Sequence, residues 1–152
     1  YKRQGHDGMA GELGHVVVEP GGRQCGCGRR GCLETYVSAT GIKRTVFELM
    51  ARETVPSVLR DVPYDKFDAR IITEAAQRLG RALANAVAIT SPEAVFFFGG
   101  LAQAGELLLE PTRRYLEENL LPVYRGNVKV LPSGIPAQNA AILGASALIW
   151  NE

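Results

Sequence analysis

Histidine and tryptophan are almost missing from this 152-residue chain, with two of the first and one of the second, and cysteine occurs only three times. No apolar run reaches the roughly 20 residues that a bilayer span needs, so no membrane segment is foreseen. Neither sign of charge dominates: 17 Lys and Arg stand against 16 Asp and Glu, and no basic run stands out, which argues against a nucleic-acid face or an acidic tail. The first residues carry no signal-peptide pattern, and the cytoplasm is the expected compartment. The chain opens on Tyr1 without a methionine, so it is expected to be a piece of a larger protein. Its length is about that of one domain, enough to bury a core. No repeat or low-complexity segment is visible.

The scarce cysteines are not scattered. Cys25, Cys27 and Cys32 all fall in "CGCGRRGC". Three is an odd number, and the one-residue gap between Cys25 and Cys27 strains a mutual bridge. Thiolates separated by glycines can instead turn their sulfurs inward around one ion, and tetrahedral zinc wants a fourth ligand. His15 lies ten residues before Cys25, at the start of "HVVVEP", and a strand and turn of that length can return it to the loop. The set His15, Cys25, Cys27 and Cys32 would be a closed Cys3His site, structural in character. The competing reading, three reduced thiols crowded on a surface loop, would be an oxidation liability.

Elsewhere the pattern is that of an α/β domain. "HVVVEP" reads as a strand ending at Pro20. Ile42, Val46, Leu49 and Met50 recur at helical spacing, predicting a helix to about Glu53 with Gly41 as a weak point. Residues 54–67 read as a loop. Asp68 can cap a long helix with Ile72, Ala75, Leu79, Leu83, Ala86 and Thr90 on one face, ended by Pro92. "EAVFFFGG" predicts a buried strand. A further helix carries Pro111 in its first turn and Tyr115, Leu116 and Leu120 inward. "NVKVLP" alternates as a strand, and "AQNAAILGASALIW" reads as a small-residue helix. Strands alternating with helices imply layered α/β architecture. After the "FFF" run, Gly99 and Gly100 let backbone N–H groups approach a ligand, although an ordinary tight turn explains such a pair as well.

"GMAGELGHVVVEPGGRQCGCGRRGCLETYVSATGI" closely resembles the signature of the ROK family of bacterial sugar kinases and sugar-responsive repressors. The likeness continues through "EAVFFFGGLAQAGELLLEP" and "NAAILGASAL", and so over nearly the whole chain. It implies the actin-like, ribonuclease-H-like ATPase fold, two α/β lobes with sugar and ATP in the cleft between them. On that reading residues 1–34 form a zinc-binding, sugar-contacting region, residues 35–152 an α/β lobe, and an N-terminal lobe lies upstream. The family's zinc ligands fall on His15, Cys25, Cys27 and Cys32. Its sugar-contacting positions fall on Glu12, His15 and Glu34, and the match makes Gly99 and Gly100 contacts on the ATP side. Taken alone, Glu12 reads as a solvated turn residue and Glu34 as an acid favoured at a helix start.

The family's kinases also carry an Asp-x-Gly-x-Thr phosphate loop, a catalytic Asp in an Asn-Asp pair and a second phosphate segment. None is present here, so the catalytic base and much of the grip on ATP and Mg2+ are expected upstream, and this piece is expected to be inactive alone. The resemblance thus implies a glucokinase-type parent acting on a hexose or amino-hexose. A repressor with an upstream DNA-binding segment is the alternative. A stand-alone zinc-ribbon module is disfavoured because most of the chain is α/β core. Family members commonly form dimers or tetramers, so a homo-oligomer is expected.

Overall fold

The structure, a computed structural model, describes residues 10–53 and 69–134. The expected loop over 54–67, the Asp68 cap and the helix over 137–150 lie outside the described residues. The elements run α1 (Glu34–Val37), α2 (Ala39–Glu53), α3 (Ala69–Thr90), β1 (Ala94–Phe97), α4 (Glu106–Asn119) and β2 (Lys129–Pro132), with short 3₁₀ turns at Leu13–His15, Leu101–Ala104 and Pro122–Tyr124. β1 and β2 pair in parallel, Ala94 opposite Lys129 and Phe97 opposite Pro132. A parallel pair needs a crossover, and α4 supplies it. The expected α/β arrangement is therefore present.

Most of the core lies where α3 meets α4. Ile72, Ala75, Leu79 and Leu83 are buried as the helical spacing predicts, but Val87 replaces Ala86 and Thr90 on that face. Four residues beyond Leu83 is a rotation of about 40° past a full turn, whereas three falls about 60° short. Val87 therefore meets Leu109 and Leu116, while Thr90 is exposed and its hydroxyl donates to the Ala86 carbonyl at 2.8 Å. At Gly80 a Cβ would sit 2.6 Å from Cβ of Tyr115, so the missing side chain sets how closely the helices approach. Leu116 and Leu120 are buried and Tyr115 is half-buried, as expected.

Three expectations need correcting. "HVVVEP" is not a strand: Val17 makes a single antiparallel bridge to Cys32, and the Val18 and Glu19 N–H groups both donate to the Gly31 carbonyl. The chain turns again at once, with the Gly22 N–H donating to the Glu19 carbonyl, before any ladder extends. Pro111 is not in the first turn of its helix but the sixth residue of α4, where it has no N–H to donate to the Leu107 carbonyl. β1 is buried on one face only. Val95 and Phe97 pack inward, whereas Phe96 and Phe98 are 61% and 67% exposed. Period-2 alternation, absent from the all-apolar sequence run, is imposed by α3 and α4 packing on a single described face.

Candidate metal centre and its neighbouring carboxylates

Backbone turns, not a ladder, shape the cysteine loop. The Cys25 N–H donates to the Arg29 carbonyl at 2.9 Å, the Gly28 N–H to the Cys25 carbonyl at 3.1 Å, and the Gly31 N–H to the Arg23 carbonyl at 2.7 Å. Gly31 has φ of +80°, and a Cβ there would run into the Glu19 carbonyl, so the turn that returns the chain to Cys32 requires glycine.

These turns gather the predicted ligands. Nδ1 of His15 is 3.6 Å from Sγ of Cys25, and Sγ of Cys27 is 3.6 Å from Sγ of Cys32. All four ligand atoms lie within 4.8 Å of one another. Sulfurs about 2.3 Å from a tetrahedral ion are about 3.8 Å apart, so the quartet has the dimensions of a Cys3His site. The thiols are free, with Cys25 and Cys32 buried and Cys27 exposed. The donor set fits zinc.

The thiols are not equivalent. The hydrogen bond from Cys25 Sγ to Glu34 Oε1, 3.0 Å long, is the main cause that pushes its pKa up to about 12. Cys27 is lowered to about 6, first by the Arg29 backbone N–H and then by the Arg29 guanidinium.

The carboxylates converge on the same imidazole. Oε2 of Glu12 is 3.8 Å from Nε2 of His15, and Oε1 of Glu34 is 3.7 Å from Nδ1. Their side chains are 72% and 43% exposed, so both reach water beside a more buried ring. Glu12 precedes the Leu13–His15 turn and Glu34 opens α1. Leu13 and Leu33, their neighbours in sequence, are anchored in one apolar cluster with Ile72, Leu79 and Leu108.

Leu101 and Phe97 pack against that same cluster and bracket Gly99 and Gly100. Gly99 has φ of +90° with open space beside it, and Gly100 caps the Leu101–Ala104 turn. The pair sits at the carboxyl end of β1, where open parallel sheets bind ligands. The carboxylates and the glycine turn are thus separate elements mounted on one core.

Arg23 was not singled out by its sequence. It is buried, its guanidinium reaches α1 and α2, and only a buried-charge argument could have found it, since a lone arginine in a glycine-rich loop reads as solvated. Arg29 gave no sequence signal beyond its place between cysteines.

Among known proteins, the ROK family profile matches residues 2–152. A glucokinase of Thermotoga maritima is 37% identical over 166 residues, taking in 98% of this chain and 52% of that protein. The DNA-binding transcriptional dual regulator NagC of Escherichia coli K12 is 28% identical over 156 residues, 95% of this chain and 38% of the regulator. A solved ROK family glucokinase from Streptomyces griseus, in complex with glucose and AMPPNP, superposes with a TM-score of 0.78 at 27% identity, over 93% of this chain and 51% of that one. The chain therefore spans about half the length of the glucokinases it matches.

Proposed function

The chain belongs to the ROK family, and from that premise we propose that it is the sugar- and metal-holding part of an ATP-dependent hexose kinase of glucokinase type. The observation that carries this reading is the convergence of Glu12 and Glu34 on His15, itself part of the Cys3His cluster. Carboxylates accept hydrogen bonds from vicinal hydroxyls, and an imidazole that offers Nδ1 to a metal keeps its proton on Nε2, where it can donate. A pyranose ring edge supplies matching partners.

His15, Cys25, Cys27 and Cys32 would hold a structural zinc, which would supply a cross-link, not reaction chemistry. Were Cys25 held as a metal-bound thiolate, Glu34, which accepts its hydrogen bond at 3.0 Å here, would be able to accept from a sugar hydroxyl instead. Gly99 and Gly100 offer backbone N–H groups to the nucleotide. Residues 1–34 act as the zinc- and sugar-contacting region and 35–152 as the lobe that carries it. The sugar oxygen attacks the γ-phosphorus of ATP, the bond to ADP breaks, and the hydroxyl proton passes to a base outside this chain, where Mg2+ is also held. The substrate is a hexose or amino-hexose, the compartment the cytoplasm, and the assembly a homo-oligomer.

A coupled assay of ADP release over a panel of hexoses tests the reading. Turnover is expected from the full-length protein and none from residues 1–152 alone. Turnover by these residues alone would refute the placement of the base. The similarity to NagC supports a second reading, a sugar-sensing repressor. Full-length protein that binds sugar without consuming ATP, and releases DNA on doing so, would replace the kinase with it.

A further inference from the structure

Arg23 is only 9% exposed and touches neither the sulfurs nor the carboxylates of the site. A guanidinium so buried must find its partners inside the protein. Nη1 donates to the Thr35 carbonyl at 2.7 Å and the Gly41 carbonyl at 3.1 Å. Nη2 donates to Oγ1 of Thr45 at 2.9 Å and to Oε2 of Glu48 at 2.7 Å. The Arg23 N–H donates to the Tyr36 hydroxyl at 3.0 Å, and the guanidinium lies 4.6 Å from the centre of that ring. Arg78 of α3 contacts the same ring at 4.5 Å and forms an ion pair of 3.4 Å with Glu19.

These contacts have a pattern. Arg23 is two residues before Cys25, and Thr35 and Tyr36 directly follow Glu34. Between Leu13 and Leu33, Val18 packs against the apolar core, but Val16 and Val17 are 37% and 40% exposed, so polar contacts must supply much of the bracing. We propose that Arg23 is the positioning residue of this site: by tying the chain entering Cys25 to the chain leaving Glu34 and to α2, it sets how closely that thiol and that carboxylate approach. It thereby governs both metal affinity and the aim of Glu34. Lysine can replace it only in part, because one ammonium lacks the planar fork that reaches two carbonyls, a hydroxyl and a carboxylate at once. The link to metal affinity rests on the zinc reading above; the bracing of the loop does not.

Two measurements on the full-length protein test this. Zinc affinity is read by competition with a chromophoric chelator. Alkylation by iodoacetamide of the reduced, metal-free protein is followed cysteine by cysteine by mass spectrometry. In the unmodified protein exposed Cys27 reacts first, while Cys25 and Cys32, at 4% and 0% exposure, lag. Arg23→Met is expected to weaken zinc about 10- to 100-fold, the range for residues that orient metal ligands, and to let Cys25 react alongside Cys27. Arg23→Lys should restore part of both, and Thr45→Val should weaken zinc by roughly two- to tenfold, as loss of one hydrogen bond does.

Unchanged affinity and unchanged labelling order in Arg23→Met would overturn the proposal. If that variant does not fold, as judged by circular dichroism, Thr45→Val decides by the same two readouts. Unmodified protein that binds no zinc, together with early Cys25 labelling in Arg23→Met, would refute the metal reading and leave the bracing role standing.

Discussion

Residues 10–33 and the α3–α4 pair are held by opposite means. The first segment has one 3₁₀ turn and two isolated bridges, Val17 with Cys32 and Gln24 with Arg30. Turn hydrogen bonds and the Arg23 network hold it, with Leu13, Val18 and Leu33 tying it to the core. The helix pair buries Ile72, Leu79, Leu83, Leu108 and Leu116 and needs no such devices. A segment that buries less apolar surface relies more on polar cross-links, and those can be aimed at a ligand in a way that a close-packed core cannot.

If the regions are stabilised separately, the largest effect should come from breaking the metal quartet. Cys25→Ser in the full-length protein is expected to lower zinc from about one per chain to a small fraction, as elemental analysis would show, and to abolish sugar binding with it. Undiminished sugar affinity in the zinc-free variant would mean that something else holds the loop. Next, Leu108→Ala, at a fully buried position of α4, should cost about 2–5 kcal/mol in denaturant unfolding while zinc content is kept. Loss of zinc there would show that the regions are coupled through their shared apolar cluster.

Glu12→Ala and Glu34→Ala separate holding from contacting. Each should weaken sugar binding by about ten- to a hundredfold, on the order of 1.5–3 kcal/mol by calorimetric titration, with zinc content unchanged. His15→Ala, which belongs to both sets, should fail on both counts. The smallest effect is expected at Glu48, whose carboxyl is held below its usual range, first by its hydrogen bond with Arg23 and then by Arg44. A lowered folded-state pKa stabilises above the unfolded value and is lost as pH falls through the folded one. Glu48→Gln should therefore cost under about 1 kcal/mol at pH 7, since the side chain is 43% exposed, and nothing in strong acid.

The two regions also differed in how readily their sequences could be read. α2, α3 and α4 announced themselves through helical spacing, and only details of rotation and register moved, at Val87 and Pro111. The gathering of the cysteine loop was legible by another route, because three cysteines and a histidine at fixed intervals are a chemical signal that needs no periodicity. "HVVVEP" misled because three consecutive valines carry strand propensity, while the strand's existence depends on a pairing partner that Gly22 and Gly31 turn away. Arg23 was invisible because its role depends on burial, and burial of a charge is decided by the carbonyls that α1 and α2 present. That Glu12 and Glu34 flank His15 depends on how the turns fold, which no spacing announces.

The Arg23 network also bears on the order of assembly. Its bonds to Tyr36, Thr45 and Glu48 join residues 13, 22 and 25 positions apart. Closing loops of that size carries a small entropic cost, so the segment from the cysteine loop through α2 is able to organise early in folding. The pairing of Ala94 with Lys129 must wait until α4 is in place between them. Arg78, reaching back from α3 to Tyr36 and Glu19, closes a still longer span and marks when α3 docks on the preformed segment. A chain emerging from the ribosome would thus present His15 and its three cysteines as a unit before its parallel strands exist.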